Sequence, residues 1–220
     1  MATEKTRQKI IDAFMDLVAT ESWDDVTMPA VAKAASVKLD VLRAAYDSRL
    51  AILEDFARRT DVAVLRNLDP NLEEEKIRDR FFEVLMERFE VLAPHKPALK
   101  ALARQARRDP VLGLVLLRTV FQSQSWMVMA VGLGSEGLQG AVRTQAVTMA
   151  YLETMRVWLE DDEPGLAKTM AAMDKALRTA ERRLKRLAGI GKFFMPGRFR
   201  SSDRADHAPD QDDGAAPAAT

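Results

Sequence analysis

Hydrophobic residues recur with a helical period of about 3.6 almost from one end of this 220-residue chain to the other, and no other feature constrains the fold as strongly. Ile10, Phe14, Leu17 and Val18 set the stripe of a first helix. It fades at "TESWDD", where Asp24 and Asp25 suit turn and cap positions. Thr27 can cap a short second helix with Pro29 in its first turn, Ser36 interrupts, and 38–45 forms a third. Asp47 or Ser48 caps a fourth helix carrying Ile52, Leu53 and Phe56, which Asp69 and Pro70 end. Further helices are predicted over 72–92, 97–108, 110–133, 139–161 and 164–187, with "GLGSEGLQG" as a loop. Alternating Val/Ile/Thr runs are few, so the expected fold is all-α.

Three parts follow from this pattern: a head of short helices over 1–50, a helical body over 51–190, and a segment over 191–220. Thirty-three basic and thirty-three acidic side chains cancel, so net charge announces no polyanion and only local clusters can argue for one. The absence of cysteine excludes a disulfide framework and thiolate metal sites. "MATEKTRQKI" lacks a signal-peptide core, and the longest apolar runs are broken by Arg118, Gln122 and Gln124. A cytoplasmic protein is expected.

Within the head, "VAKAASVKLDVLRAAYDSR" has the skeleton of a helix-turn-helix. Val31 and Ala32 suit the buried face of the first helix, Ala35–Ser36–Val37 the turn, and Val41, Leu42 and Ala45 the underside of the second. That second helix would present Lys38, Leu39, Asp40 and Arg43 to a groove. "TRQKIIDAFMDLVATESWDDVTMPAVAKAASV" with "YDSRLAIL" resembles the DNA-binding head of TetR-family regulators. The resemblance implies a TetR-like fold, a ligand-binding and dimerisation body, and a DNA-binding set of Thr27, Lys38, Leu39, Arg43 and Arg49, in which Lys38 and Arg43 contact DNA while Thr27 and Arg49 hold phosphate or the fold. The chain departs from the family at the turn, where Ser36 replaces the usual glycine, and at Lys38, where the family has serine or threonine. Arg43 stands at the family's phosphate-contacting tyrosine. Arg43 can contact phosphate or read guanine, whereas Asp40 and a head of about neutral charge oppose a polyanion. The packing skeleton alone leaves open a head that has kept its fold and lost DNA.

In the body, the last two helices carry enough apolar residues, Met149, Leu152, Met155, Met173 and Leu177 among them, to require a partner, which the TetR resemblance makes a second copy. Phe121, Trp126, Met129, Met149, Tyr151, Met155 and Trp158 can line a pocket for a hydrophobic small molecule or lipid, or they are simply core. "KIRDRFFEVLMERFEVLAPHKPALKALA" and "YLETMRVWLEDDEPGLAKTMAAMDKAL" resemble lipid-binding accessory proteins of coenzyme Q (ubiquinone) biosynthesis. That likeness implies an alternative: a lipid- or isoprenoid-binding accessory protein whose helix-turn-helix is silent. The basic, aromatic "KFFMPGRFR" places Phe193, Phe194 and Phe199 where they can touch a membrane surface, and the polar segment after it is expected to be disordered.

Enzyme chemistry finds little footing. "GLGSEG" has dinucleotide-binding spacing, but that fingerprint needs a preceding strand and a βαβ unit, and its flanks read as helices. His95 and His207 lack metal-ligand spacing, and no nucleophile–base pair stands out. No catalytic residue, metal or cofactor is expected. The favoured reading is a homodimeric TetR-like regulator that binds DNA and a hydrophobic ligand.

Overall fold

The computed structural model describes residues 3–187, and among these every regular element is a helix. Helix α1 (Glu4–Thr20) opens on Thr3, whose hydroxyl accepts from the Thr6 amide at 3.2 Å, and buries Ile10, Ile11, Phe14, Met15 and Val18. Helices α2 (Met28–Ala34) and α3 (Leu39–Ala45) are each two turns long. Helix α4 (Arg49–Asn67) is capped by Ser48, which accepts from the Ala51 amide at 3.1 Å. It packs on α1, on α5 (Ile77–Leu92) and on α7 (Pro110–Ala130). The expected head–body boundary at residue 50 therefore falls at the start of a helix that serves both parts.

The helix predicted over 72–92 begins later. Leu72–Glu74 form a single 3-10 turn with Leu72 buried, Glu75 is extended, and α5 starts at Ile77. Arg80 holds this irregular entry, donating to the carbonyls of Glu73, Glu75 and Val131. Pro94 does not stop the chain. It lies in a 3-10 turn, Ala93–His95, that runs directly into α6 (Lys96–Gln105), as a first-turn proline allows. Asp109 caps α7 by accepting from the amides of Val111 at 2.9 Å and Leu112 at 3.1 Å. Although polar residues interrupt its sequence, α7 is long and apolar enough by length and composition to cross a membrane. Helices α8 (Gly137–Trp158) and α9 (Ala167–Leu187) pack closely along their lengths.

One core runs through both parts. Its aromatic centre in the body is Phe89, stacked on Tyr151 at 5.2 Å and on Trp158 at 5.1 Å between ring centroids.

Candidate nucleic-acid interface

The turn between α2 and α3 closes as the head pattern requires. Ser36 takes a left-handed backbone (φ 50°), its amide donates to the Lys33 carbonyl, and the Val37 amide donates to the Ala32 carbonyl at 3.0 Å. This is the glycine-type helix ending, made here by serine. Val31, Ala32, Ala35 and Leu42 are buried beneath it, so the two short helices are fixed by packing.

Helix α3 turns its other side to solvent. Lys38, Leu39, Asp40, Arg43 and Ala44 are exposed, Leu39 by 52%. Lys38 precedes the first helical residue without making a side-chain cap, so its ammonium is not committed to the helix. Arg43 is paired with Asp47 one turn later, and both side chains are largely exposed. Thr27 caps α2 by accepting from the Ala30 amide at 3.3 Å, a role that leaves its hydroxyl at the surface.

Of the two roles expected for Arg49, phosphate or fold, the structure shows the second. Its guanidinium turns inward, donating to the carbonyls of Trp23 and, at 3.2 Å, Val26, and lies 4.3 Å from the centroid of the Trp23 ring. It ties α4 to the loop between α1 and α2, which is a fold role. Sequence spacing placed Arg49 beside the recognition helix but could not tell which way a long side chain turns.

A polar network holds the far end of α3. The buried Tyr46 donates to Asp55 of α4 at 2.6 Å, and Asp55 also accepts from Arg58 and Arg59. Arg59 in turn reaches Glu4 of α1. Burial and the neighbouring Asp55 carboxylate push the Tyr46 phenol up to about 12, so it stays a donor at neutral pH. Arg7 donates to the Ala45 carbonyl at 2.9 Å and lies over the Tyr46 ring.

The residues expected to form one hydrophobic pocket in the body are divided among four places. Tyr151 and Trp158 are fully buried core, and Met155 packs against that core. Phe121 and Met149 line an open groove of about 830 Å³ on the outer side of α8 and α9. Trp126 lines a separate groove of about 760 Å³ between α4 and α7, and Met129 is exposed. The helical stripe identified shared faces within each helix but not which face another helix would cover.

What the sequence reading missed is a charged cluster inside the body. Asp61 of α4 accepts on one oxygen from both Arg88 of α5 and Ser123 of α7, and Arg88 also donates to the Tyr151 hydroxyl of α8 at 3.3 Å. Burial alone would depress the Arg88 guanidinium and raise the Tyr151 phenol; for Arg88 the facing Tyr151 and Asp61 outweigh it and its pKa is raised. The only advance signal was a charge on an otherwise apolar stripe, Asp61 and Arg88 each standing at core spacing. Nearby in the same helices, the Gln124 amide and the Thr144 hydroxyl are buried without a hydrogen-bond partner among the described residues.

"GLGSEG" is the connection between α7 and α8, with helices on both sides and no strand before it, so the nucleotide fingerprint lacks its structural context. Phe193, Phe194 and Phe199, with the expectation of a disordered end, lie outside the described residues.

No family model matches the sequence, and no curated protein does. Solved structures do share the fold. A TetR transcriptional regulator from Nitrosomonas europaea ATCC 19718 superposes with a TM-score of 0.66 at 18% identity, over 81% of this chain and 99% of that one. A TetR transcriptional regulator from Rhodococcus sp. RHA1 gives 0.54 at 16% identity, over 80% and 96%. A TetR-family regulator from Streptomyces coelicolor gives 0.54 at 17%, over 86% and 87%. The fold is all-α and TetR-like. These neighbours lend no support to the likeness between the body and coenzyme Q accessory proteins.

Proposed function

We propose that this chain is a cytoplasmic, DNA-binding transcriptional regulator that acts as a homodimer and takes a hydrophobic small molecule in its body. The observation that carries the reading is the head: a packed helix-turn-helix whose second helix keeps Lys38, Leu39 and Arg43 on an uncovered face. The solved structures with this fold are described as transcriptional regulators, which supports the same assignment.

Lys38 and Arg43 are the base- or phosphate-contacting cations, and Thr27 offers a hydroxyl to phosphate at the N-terminus of α2. Arg43 must exchange Asp47 for DNA, and Asp40 adds a second adverse carboxylate, so affinity is modest and tunable by these acids. Dimerisation uses the outer face of α8 and α9, where Met149, Leu152 and Ala180 line an open, largely apolar groove. Occupancy of the body would alter the spacing of the two heads, coupling the sites.

Fluorescence anisotropy with duplexes drawn from upstream of the chain's own coding sequence, across a salt series, tests the reading. Saturable binding to one duplex is expected, weakening steeply with salt. Arg43→Ala should flatten the logarithmic salt slope by about one, and Asp47→Ala should tighten binding. If no duplex exceeds random DNA at low salt, the head does not read DNA.

A further inference from the structure

The corner where α6 turns into α7 combines two features that neither DNA binding nor the body groove uses. Val111, Leu114 and Leu117, in the first two turns of α7, are 70%, 69% and 46% exposed. Beside them, Arg104, Arg107, Arg108 and Arg118 are exposed, and none makes an ion pair among the described residues. The two lysines of α6 are already neutralised, Lys96 by Asp162 and Lys100 by Glu160. From residue 96 to 118 the sequence offers one acid, Asp109, and its side chain is engaged in capping α7. Glu21 of the head is the one carboxylate lining the adjoining groove with Arg104 and Arg108, whereas Arg118 lines the groove between α4 and α7 together with Glu54, Asp55 and Asp61.

The corner is also a fixed platform. Gly113 lets α7 lie against the Ala106 carbonyl, where a Cβ would stand only 3.0 Å from that oxygen. The aliphatic side chains are thus held out by the backbone geometry of a tight elbow.

Uncompensated arginines flanking exposed aliphatics fit a surface that is anionic outside and apolar beneath. A second copy does not fit: a self-complementary contact here would set one arginine cluster against its like. A DNA backbone would use the arginines but leave the aliphatics in water. We propose that this corner docks the protein onto an anionic lipid bilayer, Val111, Leu114 and Leu117 entering the headgroup–acyl boundary while Arg104, Arg107 and Arg108 engage lipid phosphates. This goes beyond the regulator reading and stands independently of it, because no residue of the α3 surface takes part.

The chain has no cysteine, so Leu114→Cys in the full-length protein gives a single site for a nitrobenzoxadiazole fluorophore. With vesicles of phosphatidylcholine and phosphatidylglycerol in equal parts, its emission should rise several-fold and shift to the blue; phosphatidylcholine alone should leave it unchanged. Reversing two charges, Arg107→Glu with Arg108→Glu, should weaken vesicle binding by about tenfold or more. Sedimentation with vesicles but no change at position 114 would assign the contact to another segment and overturn the proposal. So would an equal response to phosphatidylcholine alone, no vesicle binding, or an emission change that follows protein concentration without lipid, which would mark a second copy as the occupant.

Discussion

Ser36 occupies the one backbone position in the head that glycine would fill without cost. A side chain in the left-handed region costs about 1–2 kcal/mol, and part of a glycine's advantage is lost to its freer unfolded chain. Ser36→Gly should therefore raise the unfolding free energy by about 1 kcal/mol or less, read as a higher denaturant midpoint with an unchanged slope. Asp55 makes a second residue-level prediction. Burial alone would raise its carboxyl, but hydrogen bonds from Tyr46, Arg58 and Arg59 outweigh that and hold it below the usual carboxylate range. Since the folded value lies below the unfolded one, its stabilisation is complete above the ordinary range and is lost as pH falls through the folded value. The Tm gap between wild type and Asp55→Asn should be widest near neutrality and should close below about pH 4.

Four helices meet at the Asp61 carboxylate. It joins α4, which carries the head, to α5 and α7 directly and to α8 through Arg88. Removing one partner of such a pair strands a buried charge, whereas replacing both with apolar residues does not. Arg88→Leu should cost about 3–5 kcal/mol in chemical denaturation, and adding Asp61→Leu should recover a large part of it. Equal losses in the single and double variants would mean that the cluster contributes packing rather than electrostatics. At this scale the helices themselves were legible: caps at Thr27 and Ser48 and a break shortly before Pro70 follow from local chemistry. The late start of α5 was not, because Arg80 fixes it through carbonyls as distant as that of Val131.

For the whole molecule, the uncovered groove on α8 and α9 is where two copies should join, and Met149 sits in it half exposed. Met149→Glu would bury a charge in that contact. Light scattering should show a dimeric mass for the wild type and half that for the variant, with helicity retained. A monomeric wild type would remove the dimer from the proposed function. The helical period and cap residues determined, from the sequence alone, an all-α chain with a helix-turn-helix near its start. These are local signals, set by backbone geometry within a few residues. Periodicity also told which residues share a face of one helix. It could not tell which face meets another, so Tyr151 and Trp158 went to the core while Met149 and Trp126 came to separate surfaces. Nor could it show that Arg49 turns inward, that Arg88 finds Asp61, or that Val111 and Leu114 stay uncovered beside unpaired arginines. The tertiary structure decided those, because each depends on the approach of segments far apart in the chain.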